Sequence, residues 1–117
     1  MSSSAIELRP ALAQRVEITK DTLIVDLTDG RSLIVPLAWY PRLALGTTAE
    51  LAKWRLIGRG EGIHWPDLDE DISTEGLLAG RPSGEGKSSL QKWLKSREGL
   101  ANKRMQRTAH GKPRRRS

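Results

Sequence analysis

Apolar and polar residues alternate from Gln14 to Thr19 and again from Thr22 to Thr28, the two-residue period of strands that bury one face. A third such run, Arg31 to Val35, follows Asp29 and Gly30, a pair suited to the positive φ angles of a tight hairpin. With two-residue loops at Lys20 with Asp21 and at Asp29 with Gly30, Val16 faces Val25, Ile18 faces Leu23, and Val25 in turn faces Ile34. The predicted core face is then Val16, Ile18, Leu23, Val25, Leu27 and Ile34. The opposite face mixes Glu17 and Asp26 with Ile24, Leu33 and Val35, so part of it is expected to be covered too. One extra bulge residue at Gly30 would invert the third strand and half of this assignment.

Beyond Val35 the alternation stops. Pro36 and Pro41 bracket LAWY and argue against a long strand, because each removes a backbone donor. Thr47 with Glu50 forms a capping box, which predicts a short helix to about Trp54 with Leu51 and Trp54 turned inward. Glycines 58, 60 and 62 forbid a regular helix, and Ile63, His64 and Trp65 read as a fourth strand ending at Pro66. Ser73 caps a second short helix through Leu77 and Leu78, with Gly80 as its left-handed stop. After a linker over 81–88, Ser88 and Gln91 suggest another capping box, and Leu90, Trp93 and Leu94 form the apolar stripe of a helix over 89–98. The expected organisation is an N-terminal segment over 1–13, an α+β core over 14–80, then the linker, this amphipathic helix, and a basic tail over 99–117. The fold class is α+β, a small antiparallel sheet of three or four strands packed by two or three short helices.

The formal charge of +6 points to nucleic acid until it is partitioned. Residues 1–100 carry 13 Lys and Arg against 14 Asp and Glu, whereas 101–117 carry 7 against none. The body is near neutral and the basicity belongs to the tail, which lacks apolar periodicity and is expected to be disordered alone. Zero cysteines exclude disulfides and thiolate zinc sites and suit a reducing cytoplasm. No apolar run approaches the ~18 residues of a membrane span, and the N-terminus lacks the layout of a secretory signal.

Candidate chemistry is sparse. Gly86, Lys87 and Ser88 imitate the end of a phosphate-binding loop, but the glycine required five positions before Gly86 is Arg81. Gly58, Gly60 and Gly62 lack the dinucleotide spacing, since residue 63 is Ile. His64, Asp67, Asp69, Glu70 and Asp71 offer oxygen ligands and one imidazole for a metal-dependent enzyme, yet the only other histidine is His110 in the tail. A solvated acidic loop is the plainer account, and no cofactor is implied. Of the four tryptophans, Trp54 and Trp65 read as core, while Trp39 with Tyr40, and Trp93, are suited to anchor a partner.

Three segments, TLIVDLTDGRSLIVPLAWYPRL, AELAKWRLIGRGEGIHWPDLDEDIS, and EGLLAGRPSGE followed by SLQKWL, resemble a bacterial family known as domain of unknown function 2442. The resemblance spans about Val16 to Leu94. It implies a small α+β domain, in some members joined to a helix-turn-helix segment and often encoded beside a small toxin-like partner, and it brings no catalytic residues. The expected function is therefore a non-enzymatic protein-binding module, antitoxin-like or regulatory, that binds a small partner through Trp39, Tyr40, Asp67, Asp69, Glu70, Asp71 or Trp93. The alternative is a DNA-binding regulator acting through Lys103, Arg104, Arg107, Lys112, Arg114, Arg115 and Arg116. A metal-dependent enzyme around His64 ranks third.

Overall fold

The computed structural model describes residues 10–99, and the expectations for the basic tail lie outside them. The chain divides into two compact units, Met1–Ser83 and Gly84–Ser117. Six strands in the first unit form two antiparallel three-stranded sheets, each ordered as in the sequence. β1 (Ala13–Ile18), β2 (Thr22–Leu27) and β3 (Ser32–Pro36) make sheet A. β4 (Arg55–Ile57), β5 (Gly62–Trp65) and β6 (Glu70–Ser73) make sheet B. A 3₁₀ turn at Leu37–Trp39, α1 (Pro41–Ala44) and α2 (Thr48–Leu51) connect them, and α3 (Thr74–Leu78) closes the unit. The fold is α+β as expected, with a second sheet where a single fourth strand was predicted.

In sheet A the first hairpin has the predicted register, with Val16 opposite Val25 and Ile18 opposite Leu23. The second does not. Leu27 N–H bonds to Arg31 O at 2.8 Å, and Gly30 N–H bonds to Leu27 O at 3.2 Å, so three residues, Thr28, Asp29 and Gly30, form the loop. Gly30 takes φ +94°, the left-handed position of the bulged three-residue hairpin. Asp29 reinforces it by accepting the Arg31 backbone N–H, chiefly through which its carboxyl is held below the usual carboxylate range. The extra residue places Val25 opposite Leu33 and Leu23 opposite Val35. Val35 is consequently buried and Ile34 lies 65% exposed, reversing their predicted faces.

Local signals for the short helices hold. Thr47 accepts the Glu50 N–H at 3.1 Å, and Glu50 Oε1 accepts the Thr47 N–H at 2.9 Å, completing the capping box, although α2 ends at Leu51 rather than near Trp54. Ser73 accepts from Gly76 N–H, and Gly80 at φ +71° ends α3 in a Schellman motif, with Arg81 N–H on Gly76 O and Gly80 N–H on Leu77 O. In the second unit the helix α4 covers residues 87–99. Ser88 lies inside its first turn instead of capping it, because Gly86 O already accepts the Leu90 N–H at 3.0 Å.

The two sheets meet at one glycine. Gly60 O, in the β4–β5 turn, accepts the Ala13 N–H at 2.8 Å and the hydroxyl of buried Thr74 at 2.7 Å. Glu61 O beside it accepts the Thr74 N–H at 2.9 Å. A Cβ on Gly60 would lie 2.9 Å from Ala13 N and nearer still to its carbonyl oxygen, and φ there is +118°. Leu23, Val25, Leu43, Ile63, Trp65 and Leu68 are fully buried in the core of the unit.

Gly30 and Gly60 separate two costs. Gly30→Ala meets open space and only backbone strain, so it is expected to lower stability by ~1 kcal/mol. Gly60→Ala adds the collision with Ala13 and is expected to cost at least ~3 kcal/mol or prevent folding. Urea unfolding followed by tryptophan fluorescence checks both, and equal effects would show that the Gly60 contact is not limiting.

Candidate functional site

The acidic segment is a β-hairpin, not a free loop. Trp65 pairs with Glu70, His64 with Asp71 and Ile63 with Ile72, leaving residues 66–69 as the connection. Leu68 anchors that connection by complete burial among its charged neighbours. Asp69 follows in the left-handed region at φ +51°, a conformation aspartate tolerates better than most residues.

Each aspartate of the hairpin meets a different basic side chain. Asp67 pairs with Lys53 at 3.0 Å. Asp69 draws Arg42, whose Nη1 donates to the Asp69 carbonyl at 2.9 Å and lies 3.6 Å from its carboxylate. Asp71 Oδ1 contacts His64 Nδ1. Arg55, His64 and Asp71 thus form one row across the outer face of sheet B. Among the described residues, no three His, Asp or Glu side chains are grouped to hold a metal ion, so the candidates of the metal alternative do not converge. Lys53 and Arg42 were not legible as partners, since they lie 14 and 27 residues before the acids they meet. Exposed pairs of this kind contribute at most ~1 kcal/mol each, so they orient the hairpin more than they stabilise it.

Tyr40 leaves the set of candidate contacts. It is 3% exposed, and its hydroxyl donates to Arg81 O at 3.3 Å. Trp39 beside it is half-buried, and its carbonyl accepts the Ser83 N–H at 3.0 Å. Trp65 is the buried tryptophan of the core, and its Nε1–H donates to Leu51 O at 3.1 Å, satisfying a carbonyl at the end of α2. Trp93 on α4 is half-buried and stacks under the Arg97 guanidinium, 4.7 Å from ring centre.

A further feature lies beside β1. A groove of about 520 Å³ is walled by Val16, Ile18, Leu37, Leu51 and Trp54, with Lys20 at its rim. Trp54, expected in the core, is half-buried at this wall. No carboxylate or imidazole lines the groove. Sequence reasoning named Ile18, Leu51 and Trp54 only as core, and nothing in their spacing distinguishes a filled interior from an open one.

Residues 13–83, more than half of the chain, match the family described as protein of unknown function (DUF2442). The chain belongs to the DUF2442 family. The DUF2442 fold recurs in a crystal structure of a protein of unknown function from Rhodospirillum rubrum ATCC 11170, 28% identical with TM-score 0.57, over 66% of this chain and 95% of that one. A solution NMR structure of an uncharacterized protein from Chromobacterium violaceum is similar in fold, with 21% identity and TM-score 0.56 over 71% of this chain and 76% of that one. No curated protein matches. Among the described residues of this DUF2442 chain, no helix is long and apolar enough to cross a membrane.

Tyr40 provides an optical check on the packing. Burial, with a smaller push from the Glu70 charge, raises its phenol above the ordinary value near 10. The neutral form is favoured in the fold, so this stabilisation is complete below about pH 10 and is lost as pH rises through the raised value. Because Tyr40 is the sole tyrosine, absorbance at ~295 nm should titrate above pH ~10 in buffer and return to about 10 in urea. Identical midpoints would mean that the ring is not buried.

Proposed function

We propose that this DUF2442 protein is a non-enzymatic binding module, antitoxin-like or regulatory, that takes up an extended segment of a small partner protein in the groove beside β1. The supporting observation is the groove's lining, an apolar wall of Ile18, Leu37, Leu51 and Trp54 edged by Thr19, Lys20 and Thr48, with no carboxylate or imidazole beside them. The alternating ladder of sheet A adds to it. Thr19 N–H bonds to Thr22 O, so Glu17 and Arg15 also direct their backbone groups at β2, and those of Val16 and Ile18 point away from it. A strand laid against that edge gains main-chain hydrogen bonds, while its alternate side chains enter the groove. Asp69 and Asp71, whose side chains are 88% and 67% exposed, would steer a basic partner toward the same unit. A cytoplasmic location fits a chain without cysteine.

Co-expression with the products of adjacent reading frames tests the reading. The wild-type chain is expected to co-purify with a small basic neighbour. Ala52→Arg fills the groove from an exposed position and is expected to weaken the complex at least ~tenfold, or ~1.4 kcal/mol, with an unchanged melting temperature. Unchanged affinity would remove the groove from the interface. The basic composition of 101–117 favours nucleic acid as the second reading. In that case, deleting these residues abolishes a DNA affinity that falls steeply with salt.

A further inference from the structure

We infer that the outer edge of β3 pairs antiparallel with β3 of a second copy of this chain, across a two-fold axis at Ile34, so that two three-stranded sheets become one of six. This surface is separate from the groove beside β1 and does not depend on what the groove binds.

β3 ends the strand order of sheet A, so β2 is its one strand neighbour among the described residues. Two bonds, Leu27 N–H to Arg31 O and Leu37 N–H to Asp21 O, fix the phase of the β2–β3 ladder. The bonded pairs are then Val25 with Leu33 and Leu23 with Val35, and the backbone groups of Ser32 and Ile34 point outward. Among the described residues, no hydrogen bond from outside the ladder reaches those groups. Ser32, Ile34 and Pro36 are all exposed, and Ile34, at 65%, is the most exposed large apolar side chain of the described residues.

Edge strands are ordinarily protected by charges, proline or a bulge. β3 carries no charge, pairs with β2 in unbroken register, and has its single proline at the last position. Such an edge is a template for another strand, and its own sequence selects a second copy. In an antiparallel pair centred on Ile34, the two Ile34 residues exchange both backbone bonds. Each Ser32 N–H then meets the Pro36 carbonyl of the other copy, so the proline costs only the donor it lacks. Ile24 lies beside Ile34 on the same face, and the joint becomes a continuous row of isoleucines with no like charges opposed. Moving the axis to Leu33 sets each Ile34 against a serine, and moving it to Val35 sets Ile34 against Pro36 with fewer bonds. The pairing is isologous and uses the edge up, so it closes at two copies. A five-residue strand buries less than the ~1,200 Å² of a standard stable interface, and the dimer is accordingly concentration-dependent.

Sedimentation velocity on the full chain, from about 1 µM to about 1 mM, reads the equilibrium directly. Ile34→Lys and Ile34→Glu change an exposed side chain, so each is expected to leave the unfolding midpoint at low concentration little changed. Each is expected to weaken dimerisation at least ~tenfold by setting like charges together at the axis. Mixing the two variants in equal amounts places opposite charges there and is expected to restore association, which a damaged fold would not do. Exchange of the Ile34 amide is expected to slow as concentration rises, whereas the Leu33 and Val35 amides, already bonded to β2, do not respond. Ala52→Arg, which blocks the groove, is expected to leave the dimer intact. A chain monomeric throughout, or a dimer indifferent to both Ile34 substitutions, would overturn the self-pairing. So would a monomer whose Ile34 amide is protected only when a neighbour's product is added, which would give the edge to that protein. Weakening by both substitutions without recovery on mixing would remove the axis from Ile34 and overturn this register.

Discussion

The Gly60 carbonyl joins elements that the sequence keeps far apart. One oxygen accepts the first strand's Ala13 N–H and the hydroxyl of Thr74, which begins the last helix of the unit. Apart from the aromatic residues Tyr40 and Trp65, Thr74 carries the one polar side chain in the buried set of described residues, and without this acceptor its hydroxyl would carry a desolvation penalty. The approach requires both the absence of a Cβ and a positive φ, conditions that only glycine meets without strain. Sheet A, the β4–β5 turn and α3 therefore share one fixed point. Strands as short as Arg55–Ile57 depend on packing beyond their own ladder, because an isolated two-stranded hairpin is marginal in water.

What was legible in the sequence were features decided within a few residues. The Thr47 and Glu50 box, the Ser73 cap and the Gly80 stop are local hydrogen-bond arrangements, and each is present. The alternation of Gln14 to Thr28 also sufficed for the first hairpin. The second hairpin failed on a single residue. Asp-Gly fits both a two-residue turn and the last two places of a three-residue bulged loop, and the register that decides between them shows in the exposure of Ile34 against the burial of Val35.

Sheet B was hidden for a different reason. Glu70 and Asp71 are poor strand formers, so an acidic run reads as loop. Their strand exists because Ile72 pairs with fully buried Ile63 and because Leu68 fixes the preceding turn in the core. Tertiary burial at two apolar positions thus overrides the propensity of the charges between them. The same override explains why the candidate carboxylates do not converge. Alternation along β6 sends neighbouring residues to opposite faces, and the turn spreads Asp67 and Asp69 toward Lys53 and Arg42.

The chemistry-bearing side chains and the groove therefore occupy different parts of the unit. His64 and the acids lie on sheet B and its turn, where Asp67 meets Lys53, Asp69 meets Arg42 and Asp71 contacts the His64 ring, while the groove beside β1 has an apolar wall edged by Thr19, Lys20 and Thr48 and no carboxylate or imidazole. That separation follows from the connection at Gly60. By lying against Ala13, the turn closes one end of the β1 edge, and beyond it Val16 is buried while Ile18 is half-buried where both line the groove. An edge blunted along part of its length resists the indefinite pairing that leads to aggregation. The glycine that holds the two sheets together thereby also sets how much of β1 another chain can reach.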